Sequence, residues 1–227
     1  ISHCDSALLI CAQYPAIKEK NKRYWYVAKL NKIVDRLINS NDREGGMQVY
    51  RQILVEAEND LEMSANNQLF LFERYGFLAN QFVSIGKWEI AKGILVDISD
   101  KLRPLINPKG KLYFQIYFNN WTTLLNILSA NGRYTEWEKE LNGMNDILTR
   151  LSSSEPNLYV EHKSRLDFEY AVYMMAHKNY DEALIKFTSN LTFLIQNLSK
   201  NPEGYSVSYT HLRAHETKAN LVCRLLL

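Results

Sequence analysis

Three short breaks interrupt a helical pattern of apolar positions at a fixed interval. They read Ile85-Gly86-Lys87-Trp88, Asn131-Gly132-Arg133-Tyr134 and His177-Lys178-Asn179-Tyr180, and Gly86, Gly132 and Lys178 stand 46 residues apart. Each break is followed two positions on by an aromatic residue: Trp88, Tyr134 or Tyr180. The flanks repeat as well. Eleven, eight and four residues back stand Tyr75, Leu78 and Phe82, then Trp121, Leu124 and Leu128, then Asp167, Tyr170 and Met174. Five and nine residues forward stand Ala91 and Leu95, Trp137 and Leu141, Ala183 and Phe187. Intervals of three and four put such residues on one helical face on each side of the break. The pattern predicts three antiparallel helix pairs over residues 65–198, with Gly86, Gly132 and Lys178 at their turns.

A weaker pair precedes these. Trp25–Ile38 reads helical through Val27, Leu30, Val34 and Leu37, and Met47–Leu61 through Val49, Ile53, Leu54 and Ala57, with Asn39–Gly46 as a polar loop between them. Ser6–Tyr14, stopped at Pro15, reads as the second helix of an earlier pair. Pro104, Pro108, Pro156 and Pro202 fall between or after helices, where helices tend to end. No alternating strand pattern of useful length occurs.

The repeated positions resemble the tetratricopeptide repeat. Tyr75, Leu78, Ala79, Phe82, Gly86, Trp88, Ala91 and Leu95 match that pattern almost position by position. Trp121, Leu124, Leu128, Gly132, Tyr134 and Leu141 follow, with Trp137 where a small residue is usual. Tyr170, Ala171, Met174, Tyr180, Ala183 and Phe187 complete the set, with Lys178 in the Gly place. The period departs from the family's, which is about 34. The excess must lengthen helices or links, so the resemblance is to a longer-helix variant. It implies an all-α fold, a right-handed superhelical stack of antiparallel hairpins (a TPR-like solenoid), whose first helices line a concave face.

The last residues change the chain's boundaries and charge. Val207–Thr217 and Asn220–Leu227, read back into codons, resemble two segments of sequencing-library adapter in one frame and in order, with Lys218-Ala219 where an index would fall. The alternative is a true C-terminal amphipathic helix. On the adapter reading, residues 1–205 form one helical repeat domain, expected to be truncated at both ends since the chain begins at Ile1, and residues 206–227 are a non-native tail. The chain carries 27 Lys+Arg against 25 Asp+Glu. Arg213, Lys218, Arg224 and Glu216 belong to the tail, and without them 24 of each sign remain. That balance leaves no basic footprint for nucleic acid or an anionic membrane. The cysteines outside the tail, Cys4 and Cys11, lie two helical turns apart and cannot bridge each other. Buried free thiols are expected, which favours the cytoplasm, with the periplasm as the alternative.

Chemistry-bearing motifs are scarce. The chain has neither a phosphate-binding Gly-rich loop nor a dinucleotide fingerprint nor a Ser-centred nucleophile elbow. His3, His162 and His177 have no metal-ligand spacing to Cys or acidic partners. His162 is expected to be solvated or capping, and His177 to suit the negative end of a helix dipole. Glu56, Glu58, Asp60 and Glu62 read as a solvated helix face, and the aromatics at repeat positions as core. No enzyme activity, metal or cofactor is expected.

The expected function is therefore binding. Asn80 and Asn126 stand six residues before their breaks, Asn119 and Thr122 lie on the second unit's first helix, and Arg165 falls one period after Asn119. An Asn amide can clamp a peptide backbone through its donor and acceptor, and an Arg can hold a carboxylate. Asn80, Asn119, Thr122, Asn126 and Arg165 are the candidate ligand-contacting residues of the concave face. Hydrogen bonding of these Asn between neighbouring helices is the alternative. The reading is a protein- or peptide-binding scaffold, the regulatory or sensor part of a larger signalling protein. A second is the repeat region of an enzyme whose catalytic domain lies elsewhere.

Overall fold

The computed structural model describes residues 3–39, 42–106 and 111–198. Residues 207–227, Pro108 and Pro202 lie outside the described residues, and with them the expected tail. Ten α-helices and one 3-10 turn make up the described architecture, with no strand among those residues. The helices are α1 His3–Gln13, α2 Pro15–Lys20, α3 Lys22–Asn39, α4 Arg43–Asp60, α5 Ala65–Ser84, α6 Trp88–Leu102, α7 Lys111–Ala130, α8 Tyr134–Leu151, α9 Pro156–Ala176 and α10 Tyr180–Leu198. The 3-10 turn is Arg103–Leu105. The chain divides into two compact units, residues 1–131 and 132–227.

In the first unit α3 packs on α4, α4 on α5, α5 on α6 and α6 on α7, and α1 also packs on α3. Besides these neighbours, α5 packs on α7. The core is apolar: Leu30, Tyr50, Leu54, Leu78, Phe82, Leu95, Phe114, Tyr117 and Trp121 are buried. In the second unit α8 packs on α9 and α9 on α10, around buried Trp137, Leu141, Leu148, Leu166 and Ala183.

The breaks fall where the period puts them. Gly86, Gly132 and Lys178 have φ of 73°, 64° and 62°, the left-handed region. At Gly86 the Lys87 N–H donates to Phe82 O (2.9 Å) and the Gly86 N–H to Val83 O (3.0 Å). At Lys178 the Asn179 N–H donates to Met174 O and the Lys178 N–H to Met175 O, both at 2.9 Å. This paired pattern is a Schellman motif, which satisfies the last carbonyls of a helix and reverses the chain. Glycine takes that conformation without a steric cost; lysine does not.

Several expectations need correction. Gly45 and Gly46 are not in the loop, because α4 starts at Arg43. Asp42 caps it, accepting from the Gly45 N–H at 2.9 Å. Pro15 ends α1 and also opens α2, and Pro156 opens α9, where proline's missing N–H costs nothing. The expected solvated face holds in part: Glu56 and Glu62 are exposed, but Glu58 and Asp60 are half-buried, and three of the four are paired. Glu56 pairs with Lys29 of α3 at 2.9 Å, Asp60 with Lys22 at 2.8 Å, and Glu58 with Lys101 of α6 at 3.2 Å. Asp60 also accepts from Tyr26 Oη, and Glu58 from Tyr75 Oη. The hydrogen bond from Lys22 holds the Asp60 carboxyl below its ordinary pKa. Burial, reinforced by the Glu58 charge, pushes the Tyr75 hydroxyl well above its own. His162 is buried, not solvated. Cys4 and Cys11 are free thiols but only half-buried. Tyr134 and Tyr180, expected in the core, are exposed.

Candidate functional site

Helices α5 and α7 run side by side at equivalent positions. Tyr113 Oη donates to Gln68 Oε1 at 3.1 Å, and Thr123 Oγ1 donates to Asn80 Oδ1 at 3.2 Å. The first pair is 45 residues apart in sequence and the second 43. These separations lie just under one 46-residue period, so residues one repeat apart meet across the helix interface. A parallel arrangement follows, since α6 reverses the chain between them.

Between these two clasps lies a groove of about 280 Å³. Leu69, Glu73, Gly76, Phe77 and Asn80 line it from α5, and Leu112, Gln115, Ile116, Asn119 and Asn120 from α7. On each helix the lining residues recur at three and four, so one face of each is given to the groove. Its walls are aliphatic and aromatic, its polar groups are mainly amides, and Glu73 is the single ionisable residue in the lining. The floor depends on Gly76. A Cβ there would stand 2.4 Å from Asn120 Oδ1, so any larger residue would displace that side chain. Asn120 is buried, and its Nδ2 has no hydrogen-bond partner. A buried donor left unmade costs roughly 1–3 kcal/mol.

The groove lining brings together two of the candidate residues, Asn80 and Asn119. Asn80 and Asn119 both line the groove and are exposed. Asn80 Nδ2 donates to Gly76 O at 3.0 Å while its oxygen takes the Thr123 clasp. Its amide therefore does join neighbouring helices, as the alternative reading had it. Asn119 Oδ1 accepts from Gln115 Nε2 at 3.2 Å. Thr122 spends its hydroxyl on Phe118 O of its own helix at 3.0 Å. Asn126 is exposed, two turns beyond Asn119 on α7, and is not in the groove lining. Arg165 belongs to the second unit, where its guanidinium pairs with buried Glu169 at 2.5 Å and lies 5.6 Å from the Phe168 ring.

Sequence reasoning passed over Glu73, Gly76, Gln115, Asn120 and Thr123. Two signals were available. Glu73 stands one period before Asn119. Gly76 is an isolated glycine inside a strong helical pattern, and such a glycine usually has a packing reason.

The second unit has a different polar seam. Tyr170 Oη donates to Asn142 Oδ1 at 2.6 Å and Tyr173 Oη to Glu138 Oε2 at 3.2 Å, joining α9 to α8. Burial first, and then the charges of Asp146, Asp167 and Glu138, push the Tyr170 hydroxyl up to about 12. His177 caps α9, its Nδ1 lying 2.9 Å from Tyr173 O.

Fold and groove together define a class no finer than an all-helical protein of paired helices with an amide-lined cleft between two of them. No protein-family model, curated protein or solved structure matches the chain. Among the described residues, no group of His, Cys, Asp and Glu could hold a metal ion, and no helix is long and apolar enough to cross a membrane.

Proposed function

We propose that this chain is a non-catalytic, tetratricopeptide-like helical repeat scaffold that binds a peptide or protein segment in the groove between α5 and α7. On this reading the hairpins stack as a right-handed superhelix, α5 and α7 are first helices of successive repeats, and the groove is part of the concave face. The chain serves as the regulatory or sensor part of a larger signalling protein. The observation that carries the reading is the shared lining of one groove by Asn80 and Asn119. The packing of α5 on both α6 and α7 and the left-handed residues at a 46-residue spacing support the repeat. An extended segment in such a groove would find amides for its backbone and apolar walls for its side chains.

The test is selection of displayed random peptides on the full chain, followed by binding to an Asn119→Trp variant. That side chain is exposed on the groove rim, so an indole there blocks entry without entering the core. Enriched peptides should bind the parent and fail to bind the variant, with unchanged helical circular dichroism. Equal binding to both would place recognition elsewhere and end the groove reading.

A further inference from the structure

The groove has a chemical preference, and this inference rests on the peptide reading above. Two features set it. The first is charge: Glu73 is exposed, is the single ionisable lining residue, and stands among the amides of Gln115, Asn80, Asn119 and Asn120. With no Lys or Arg in the lining, an anionic ligand meets repulsion and no partner, while a cation meets a carboxylate and amide oxygens. The second is the Asn120 amide, buried to 4% exposure in the groove lining with an unpartnered Nδ2. The torsion that orients an Asn amide is broad and roughly two-fold. Rotation about that torsion is the movement by which the NH2 would reach an acceptor in the groove and relieve the penalty of the unmade bond.

We infer that the groove selects an extended peptide segment bearing a lysine, with a backbone carbonyl accepting from Asn120 Nδ2 and the lysine ammonium paired with Glu73. The spacing suits one such segment. Glu73 is three residues, about 4.5 Å along the axis, from Gly76, on whose backbone the Asn120 amide rests. A strand advances about 3.3 Å per residue, so a carbonyl at Asn120 and a side chain at Glu73 belong to the same or adjacent ligand residues. From Leu69 to Asn80 the α5 wall runs roughly 16 Å, room for about five extended residues.

The experiment follows the side-chain amide signals of Asn80, Asn119 and Asn120 by NMR in the 15N-labelled full chain. The probes are acetyl-Ala-Ala-Lys-Ala-Ala-amide, the same peptide with N-acetyl-lysine, and the same with glutamate. The lysine peptide should shift the Asn120 amide saturably. Acetylation should weaken binding about threefold, the scale of a partly exposed ion pair, and glutamate should weaken it further. Glu73→Gln should bring the lysine peptide down to the level of the acetylated one. Asn120→Leu should weaken all three by about tenfold, the scale of a hydrogen bond to a buried donor. Should Asn120→Leu not fold, the Asn120 signal of the parent decides: movement upholds the contact, and stillness overturns it. If all three peptides shift the groove amides with equal affinity, the lysine preference falls and the peptide reading stands. If none moves any groove amide, both fall.

Discussion

Hairpins α5–α6 and α9–α10 close with the same Schellman turn, but their interiors differ. In the first, the repeat positions Leu78, Phe82, Ala91 and Leu95 are all buried. In the second, Ala183 is buried, while Tyr170, Met174 and Phe187 are half-exposed. The α9–α10 interface also takes a polar group, buried Asn190 donating to Ser164 O at 2.9 Å, and on α9 itself buried Glu169 pairs with Arg165. On α10, Leu184, Ile185, Leu191 and Ile195 are exposed. The difference follows from the neighbours. α5 packs closely on α4, α6 and α7, whereas the close packing of α10 among the described elements is on α9. The repeated pattern therefore specifies the turn and the facing stripe, and the number of neighbouring helices decides how far that stripe leaves water.

Truncating equivalent positions should show this contrast with the largest effect. Leu95→Ala, at a fully buried site, should destabilise by about 2–5 kcal/mol. Phe187→Ala, two periods later and half-buried, should cost less than half as much, although it removes more atoms. Native-state hydrogen exchange read separately in the two units checks both. Equal losses would mean that exposure does not distinguish the hairpins.

Exchanging the turn residues should give a smaller effect of opposite sign in the two hairpins. Lys178→Gly should stabilise by roughly 1 kcal/mol, since a residue with a Cβ pays about that much in the left-handed region. Gly86→Ala should destabilise by a similar amount, because its φ of 73° is equally left-handed. Urea midpoints of the two variants decide it. A destabilising Lys178→Gly would show that the lysine side chain, not the backbone, holds that turn.

Much of this was legible in the sequence because it is local and periodic. The three turns and the helices over residues 65–198 came from spacing alone, since apolar stripes and left-handed turn residues repeat with the chain. Gly45 and Gly46 were misplaced because a glycine pair signals a loop unless a cap, here Asp42, holds the helix start. The pairing of Glu56, Glu58 and Asp60 and the partial burial of the last two were not legible because their partners come from other helices, and a single helix does not show them. The groove was half legible. Asn80 and Asn119 were found from their register, but Thr122, which bonds its own helix, was included on spacing that does not encode side-chain direction. Asn120 was missed because its burial depends on the contact with Gly76 across the interface.

The groove's role as a binding surface is tested most directly by measuring affinity and stability in one double variant, Asn80→Ala with Asn119→Ala. Both residues are exposed and line the groove, although Asn80 also accepts the Thr123 hydroxyl. For a peptide selected on the parent protein, Kd should rise by about tenfold or more, as expected from the loss of two hydrogen bonds on binding. The free energy of unfolding should fall by no more than about 1 kcal/mol, the net worth of the single interhelical bond to Thr123. An unchanged Kd together with a sharp loss of stability would contradict the account and make the Asn80 and Asn119 amides part of the packing between α5 and α7.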